Sequence, residues 1–345
     1  HAALGLYLES APGKGDPVPA LTRALELDPN HTEAQLWLAN AMPASKESFA
    51  RLERLVDQDP AFIPAVSNLT NFYTQRAEFD RARAILTRAA SVPGMKARVA
   101  PQQASLEIAA GELAKAYELA KSAYEREPGN MGAKATLGFA LMMLGEFEES
   151  ARVGILVNQV ASAWAANTLG EAIRLVEAQP PTRSLADLVP SIYVEAGRYQ
   201  DAVNYFEAVF GEDVALKDLN GLGSSVASLA YAYRKIGDTE RSEQLIELAR
   251  TVVRKGRALG YSNLPSRQVF IAEVEGAAGN IEAARSEISS AIKNGLVGAI
   301  AKSPVLEKVF PRSEMAPGID VIFERTNAQR AKLGWPPIEP PRPEG

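Results

Sequence analysis

The chain has 345 residues, two histidines and no cysteine, with 42 acidic against 37 basic side chains and a formal net charge of −5. Without thiols and with so little imidazole, it cannot assemble a disulfide or the usual zinc and iron–sulfur ligand sets. The negative balance supplies no basic field for a phosphate backbone, so no nucleic-acid partner is expected for this segment.

Helix formers dominate and alternating strand patterns are absent. The first periodic run, Leu4, Leu8, Leu21 and Ala24, closes at Pro29. Its register begins before His1, and no initiator methionine is present. The chain is therefore expected to be part of a longer or processed polypeptide. Pro29, Pro60 and Pro128 then close helices in ELDPN, DQDPA and REPGN, since proline stops one helix and opens the next.

From Ala77 onward a fixed spacing emerges. Ala77, Gly111 and Gly145 are 34 apart, as are Ala82, Ala116 and Ser150. Gly197, Gly237 and Gly279 continue the turn column, followed by the small residues Ala202, Ser242 and Ala284. Twelve positions before each small residue lies another compact one: Ala104, Gly138, Pro190, Ala230 and Ala272. Helices that approach closely need small side chains where their backbones meet. The pattern predicts helix pairs joined at each turn and stacked one on the next. Later spacings stretch to 40 and 42 residues, and residues 152–182 fit no repeat. The expected division is an N-terminal array over 1–151, an irregular helical join over 152–182 and a C-terminal array over 183–294. A capping region over 295–334, with Ile319, Ile322 and Phe323 on its last helix, precedes a proline-rich tail over 335–345, expected to be an extended or disordered linker.

The 34-residue period, the small slots and the tyrosines Tyr73, Tyr193 and Tyr233 resemble the tetratricopeptide repeat family. That resemblance implies an all-α, right-handed superhelical solenoid of seven or eight antiparallel helix pairs. It also implies a protein or peptide partner on the concave wall formed by the first helix of each pair. By register, the wall offers Glu33 and Asn40, then Ser67, Asn71, Thr74 and Gln75, then Arg98 and Ser105, then Phe139, Met142 and Met143. Further on it offers Ser191 and Glu195, then Tyr231, Arg234 and Lys235. Asn40, Asn71 and Gln75 resemble amides that hold a peptide backbone in such grooves. Ser67 and Pro101 stand where a carboxylate clamp for chaperone tails would need other residues, which argues against that ligand. Phe139, Met142 and Met143 are either an apolar groove, suited to a small molecule or lipid, or core. The last 60 or so residues resemble the ends of tetratricopeptide regions in bacterial multidomain signalling proteins, among them adenylate-cyclase-like proteins and membrane-anchored winged-helix regulators.

No catalytic constellation stands out, and no enzyme activity or cofactor is expected. PGKG (Pro12–Gly15) and GLGSSV (Gly221–Val226) lack the strand a phosphate loop requires. The longest charge-free stretch, Val153–Gly170, is too polar to span a membrane. The charge-poor region 133–170 could serve self-association. Lack of cysteine leaves both a bacterial cytoplasm and a periplasm open, with the periplasm favoured.

Overall fold

The structure is a computed structural model and describes residues 16–41, 46–211, 225–299 and 302–340. PGKG, Gly221–Ser224, Leu4, Leu8 and the last five residues of the tail lie outside the described residues. Every regular element among the described residues is helical. The chain forms two compact units: His1–Ala110 with Leu259–Tyr261, and Gly111–Ala258 with Ser262–Gly345.

The first unit holds α1 (Val18–Leu27), α2 (Thr32–Ala41), α3 (Lys46–Gln58), α4 (Ile63–Gln75), α5 (Phe79–Ser91) and α6 (Lys96–Ala109). Each helix packs on the next, and α4 also touches α6. Leu55, Val66, Leu69 and Leu86 form the centre of its core, all nearly sealed from water. Phe49, Phe72 and Tyr261 stack in series, with centroids 4.2 and 5.9 Å apart. Arg83 on α5 grips Glu107 on α6 through Nε (3.0 Å) and Nη2 (2.8 Å).

The second unit begins with α7 (Leu113–Arg126), α8 (Met131–Met143), α9 (Phe147–Val153), α10 (Leu156–Ala165) and α11 (Leu169–Glu177). It continues through α12 (Val189–Glu195), α13 (Tyr199–Phe210), α14 (Ser225–Lys235), α15 (Thr239–Ala258), α16 (Pro265–Ala278) and α17 (Ile281–Lys293). First helices of successive pairs touch: α8 meets α10, α12 meets α14 and α14 meets α16. Its core is built around Leu185, Ile192, Phe206 and Leu229. Two further helices follow, α18 (Pro304–Val309) and α19 (Arg312–Lys332). α18 lies on α12, α14 and α16, while α19 packs on both α17 and α7.

The antiparallel helix-pair architecture expected from the spacing is the one observed, and its physical basis is visible at the small slots. Ala82, Ala116, Ser150, Ala202, Ser242 and Ala284 are all 0% exposed. Gly138 shows why size is limiting: a Cβ there would fall 2.7 Å from Cγ of Asn158 on α10. Asn158 is pinned, accepting from the Ile155 amide (3.0 Å) and donating to the Ala135 carbonyl (3.2 Å). Ser150 keeps its buried hydroxyl satisfied by donating to the Gly138 carbonyl (2.7 Å) and accepting from Ser162 (2.8 Å).

The turn column also has one physical meaning. Ala77 (φ 57°), Gly145 (φ 85°), Gly197 (φ 73°), Gly237 (φ 91°) and Gly279 (φ 83°) are all left-handed. The amide after each closes back on a carbonyl five residues earlier, as in Glu78 N to Tyr73 O and Asp238 N to Tyr233 O, both 2.9 Å. This is the hydrogen bond that ends a helix before a tight reversal. Asn167 (φ 61°) makes the same turn, with Thr168 N bonded to Ala163 O at 3.0 Å. Residues expected to form an irregular join therefore contain a helix pair of their own, α10 and α11. The pattern was hidden because asparagine replaces glycine, and the turn follows Gly145 after 22 residues rather than 34.

Two of the recurring tyrosines tie their helix pair to the one before it. Tyr73 donates its hydroxyl to Glu53 (2.6 Å) and Tyr233 to Glu207 (2.8 Å). Arg81 and Arg241, each eight residues on, lie over the two rings at 5.1 and 5.7 Å. Burial, then the bond to a carboxylate, pushes each phenol up to about 12 from its ordinary value of 10.0. Because the folded value is raised, this stabilisation is complete below pH 10 and is lost as pH climbs towards 12. The stability advantage of the wild type over Tyr233→Phe is therefore expected to shrink across that window. Urea midpoints of both proteins at pH 9, 10 and 11.5 measure it, and a constant difference would refute the linkage.

Candidate functional site

In the first unit, Ser67, Thr70, Asn71, Thr74 and Gln75 fall on one face of α4, at spacings of three and four residues that bring them to one side. Facing them, α6 supplies Pro101, Gln102, Ser105, Leu106 and Ala109. Together they line an open groove of about 450 Å³. None of these residues carries a charge. Asn71 and Ser105 are exposed, Ser67, Gln75 and Gln102 are half-buried, and Thr74 is buried with its hydroxyl donated to Thr70 O (2.8 Å). The Thr70 hydroxyl is buried beneath the groove and has no hydrogen-bond partner. Asn40 on α2 is exposed and accepts a hydrogen bond from Asn68 Nδ2 (2.8 Å). It therefore stands apart from the groove residues. On the far wall Ser105 was expected from the register, whereas Gln102, four residues beyond Arg98 on the same helical face, was not.

In the second unit the anticipated wall is largely covered by the chain itself. Met142 is 4% exposed and packs inward, whereas Phe139 remains 41% exposed. Met143 is half-buried, and its Cε lies so near Gly298 that a Cβ there would come within 2.4 Å of it. Its carbonyl accepts from the Ala299 amide (2.7 Å). These three residues do not form one open apolar groove: helix rotation sends Met142 to the core, and the segment after α17 covers Met143. Ser191 is also buried, bonded to Ser228 at 2.9 Å, because α12 and α14 meet there. Glu195 is engaged by Trp164 Nε1 and by Lys302 (3.0 Å). Tyr231 is half-buried against Tyr199 (6.1 Å), with Lys235 over its ring at 5.2 Å; Arg234 is half-buried and Lys235 exposed.

The proline-rich tail also departs from expectation, because residues 335–338 are docked rather than free. Trp335 meets Tyr117 edge-on (4.8 Å), and Ile338 lies against the Gly145 turn. Among the described residues, no three of His, Cys, Asp or Glu converge as a metal site, and no helix is long and apolar enough to cross a membrane.

Residues 107–153 match the tetratricopeptide repeat family. Curated proteins give no match. Among solved structures, the chain is similar to one of the APC/C hetero-tetramer Cut9–Hcn1, with 12% identity and a TM-score of 0.45 over 84% of this chain and 58% of that one. It thus spans little more than half of that chain's length. It is also similar to the TPR domain of P58(IPK), with 14% identity and a TM-score of 0.24 over 96% of this chain and 97% of that one.

Proposed function

We propose that this chain is a non-catalytic interaction scaffold that holds a protein or peptide segment along the α4–α6 groove. The carrying observation is an open, uncharged groove bordered by Asn71, Gln75 and Gln102. Amide side chains both donate and accept, so they can pair with the alternating N–H and C=O groups of an extended backbone. With no charge on its walls, the groove suits a neutral extended stretch better than an acidic or basic tail. The tetratricopeptide match at 107–153 supports the scaffold reading. The likeness of the last 60 or so residues to bacterial signalling proteins suggests a regulatory setting. A small-molecule or lipid sensor near Phe139–Met143 has less support, since Met142 belongs to the core.

Peptides selected from a displayed random library against the wild-type chain provide the test. The double variant Asn71→Ala/Gln75→Ala is expected to bind them at least about tenfold more weakly, since two hydrogen bonds at about 1 kcal/mol each are lost. Its melting temperature should change little, because the bond the two amides share is long (3.4 Å) and exposed to water. Undiminished binding by the variant would remove this groove from the account.

A further inference from the structure

The tail is held by its own chain through a small set of main-chain hydrogen bonds and two side-chain contacts. Just past the end of α19, Gly334 (φ 70°) turns the chain, with Trp335 N bonded to Arg330 O at 3.0 Å. The chain then runs back along the helix it has just left. Arg330 donates through Nε to the Pro336 carbonyl (2.7 Å). Asn327 donates to the Ile338 carbonyl (2.9 Å) and accepts from the Ile338 amide (2.8 Å). Every polar contact to residues 336–338 thus reads main-chain atoms, and the prolines at 336 and 337 have no amide to leave unsatisfied.

Two side chains supply the remaining selectivity. Trp335 sits between Tyr117 (4.8 Å) and the Arg330 guanidinium (5.5 Å). Ile338 approaches Gly145 so closely that a Cβ there would lie 2.5 Å from its Cδ1. The seat is rigid: Arg330 is 2% exposed, held by the Leu144 carbonyl (2.6 Å) and by Glu146 (2.8 Å). The occupant is shallow by contrast. Trp335 and Ile338 are only half-buried, and Pro336 and Pro337 are exposed.

We propose that Tyr117, the Gly145 turn, Asn327 and Arg330 form a recognition site for a proline-rich strand of the pattern Trp-Pro-Pro-aliphatic. The tail holds this site in cis, and a partner protein's strand of the same chemistry takes it when the tail leaves. A stiff proline-rich strand loses little entropy on docking and is read well by aromatic and main-chain contacts. The tail leaves its helix through a single glycine, so its effective concentration at the site is millimolar or more. A second copy's tail at micromolar concentration cannot match that. A partner whose strand adds contacts elsewhere can.

The test uses a fluorescent GWPPIEP peptide and the full chain. In Trp335→Ala/Ile338→Ala, which releases the tail, the peptide is expected to bind saturably. It should bind the wild type at least about tenfold more weakly, because the tethered tail competes. Adding Asn327→Ala to the released variant should weaken binding at least about tenfold, since two main-chain hydrogen bonds are lost. No saturable binding by the released variant up to millimolar peptide, or equal binding to both proteins, would overturn the proposal. Hydrogen exchange on the wild type tests the same point without a substitution. The Ile338 amide should exchange far faster than the amides of α8, through local opening. Exchange only with global unfolding would show the tail to be an inseparable part of the fold and would also overturn the proposal.

Discussion

Met142→Ala is expected to lower the unfolding free energy by about 2–5 kcal/mol, the range for truncating a buried methionine. Phe139→Ala, three residues away on the same helix, should cost about 1 kcal/mol or less. The contrast follows from exposure, since Met142 is 4% accessible and Phe139 41%. Chemical denaturation of the two variants measures it. A Met142→Ala protein as stable as the wild type would put this side chain outside the core and return the apolar sensor reading to consideration. The larger loss would leave only Phe139 as an exposed apolar contact on this part of α8.

Removing the Arg83 guanidinium is expected to be similarly damaging. Glu107 is 2% exposed and receives both Nε and Nη2 of Arg83. Arg83→Ala removes the two-pronged guanidinium contact to that buried carboxylate, at a cost of about 3 kcal/mol. The Arg83 side chain is itself about one-third exposed (32%), so water entering the gap holds the loss at the lower end of the range for buried pairs. In Arg83→Met/Glu107→Leu the buried charge is gone and apolar volume replaces it. Most of the loss should then be recovered, because the desolvation penalty disappears with the charge. Urea midpoints of the single and double variants form the cycle. A double variant no more stable than Arg83→Ala would show that the pair is net stabilising rather than merely compensated.

How much of this was legible beforehand differs between the frame and the site. Ala82, Ser150 and Ala202 announced close helix contacts because backbone approach admits only small side chains, wherever the partner helix comes from. Ala77 and Gly145 announced turns because a left-handed residue is a local demand of the chain. The α4 side of the groove followed from the same register, since Ser67, Asn71 and Gln75 share one helical face. Asn167 escaped notice because asparagine reaches the left-handed region without glycine's signature.

The sequence by itself therefore determined the helix pairs, their turns and the columns of small residues, all properties of segments shorter than one repeat. Tertiary structure alone decided which faces stay open. Nothing near Leu144 foretells that Arg330, 186 residues later, will bond its carbonyl. Nothing near Met143 foretells Gly298 pressing on its side chain. Covering a face depends on where a distant segment finds its lowest free energy, and that is a property of the folded chain as a whole. The same reason turned the proline-rich tail from an expected linker into a docked strand: its prolines rule out a helix, but only Asn327, Arg330 and Tyr117, brought together by folding, give it a place to bind.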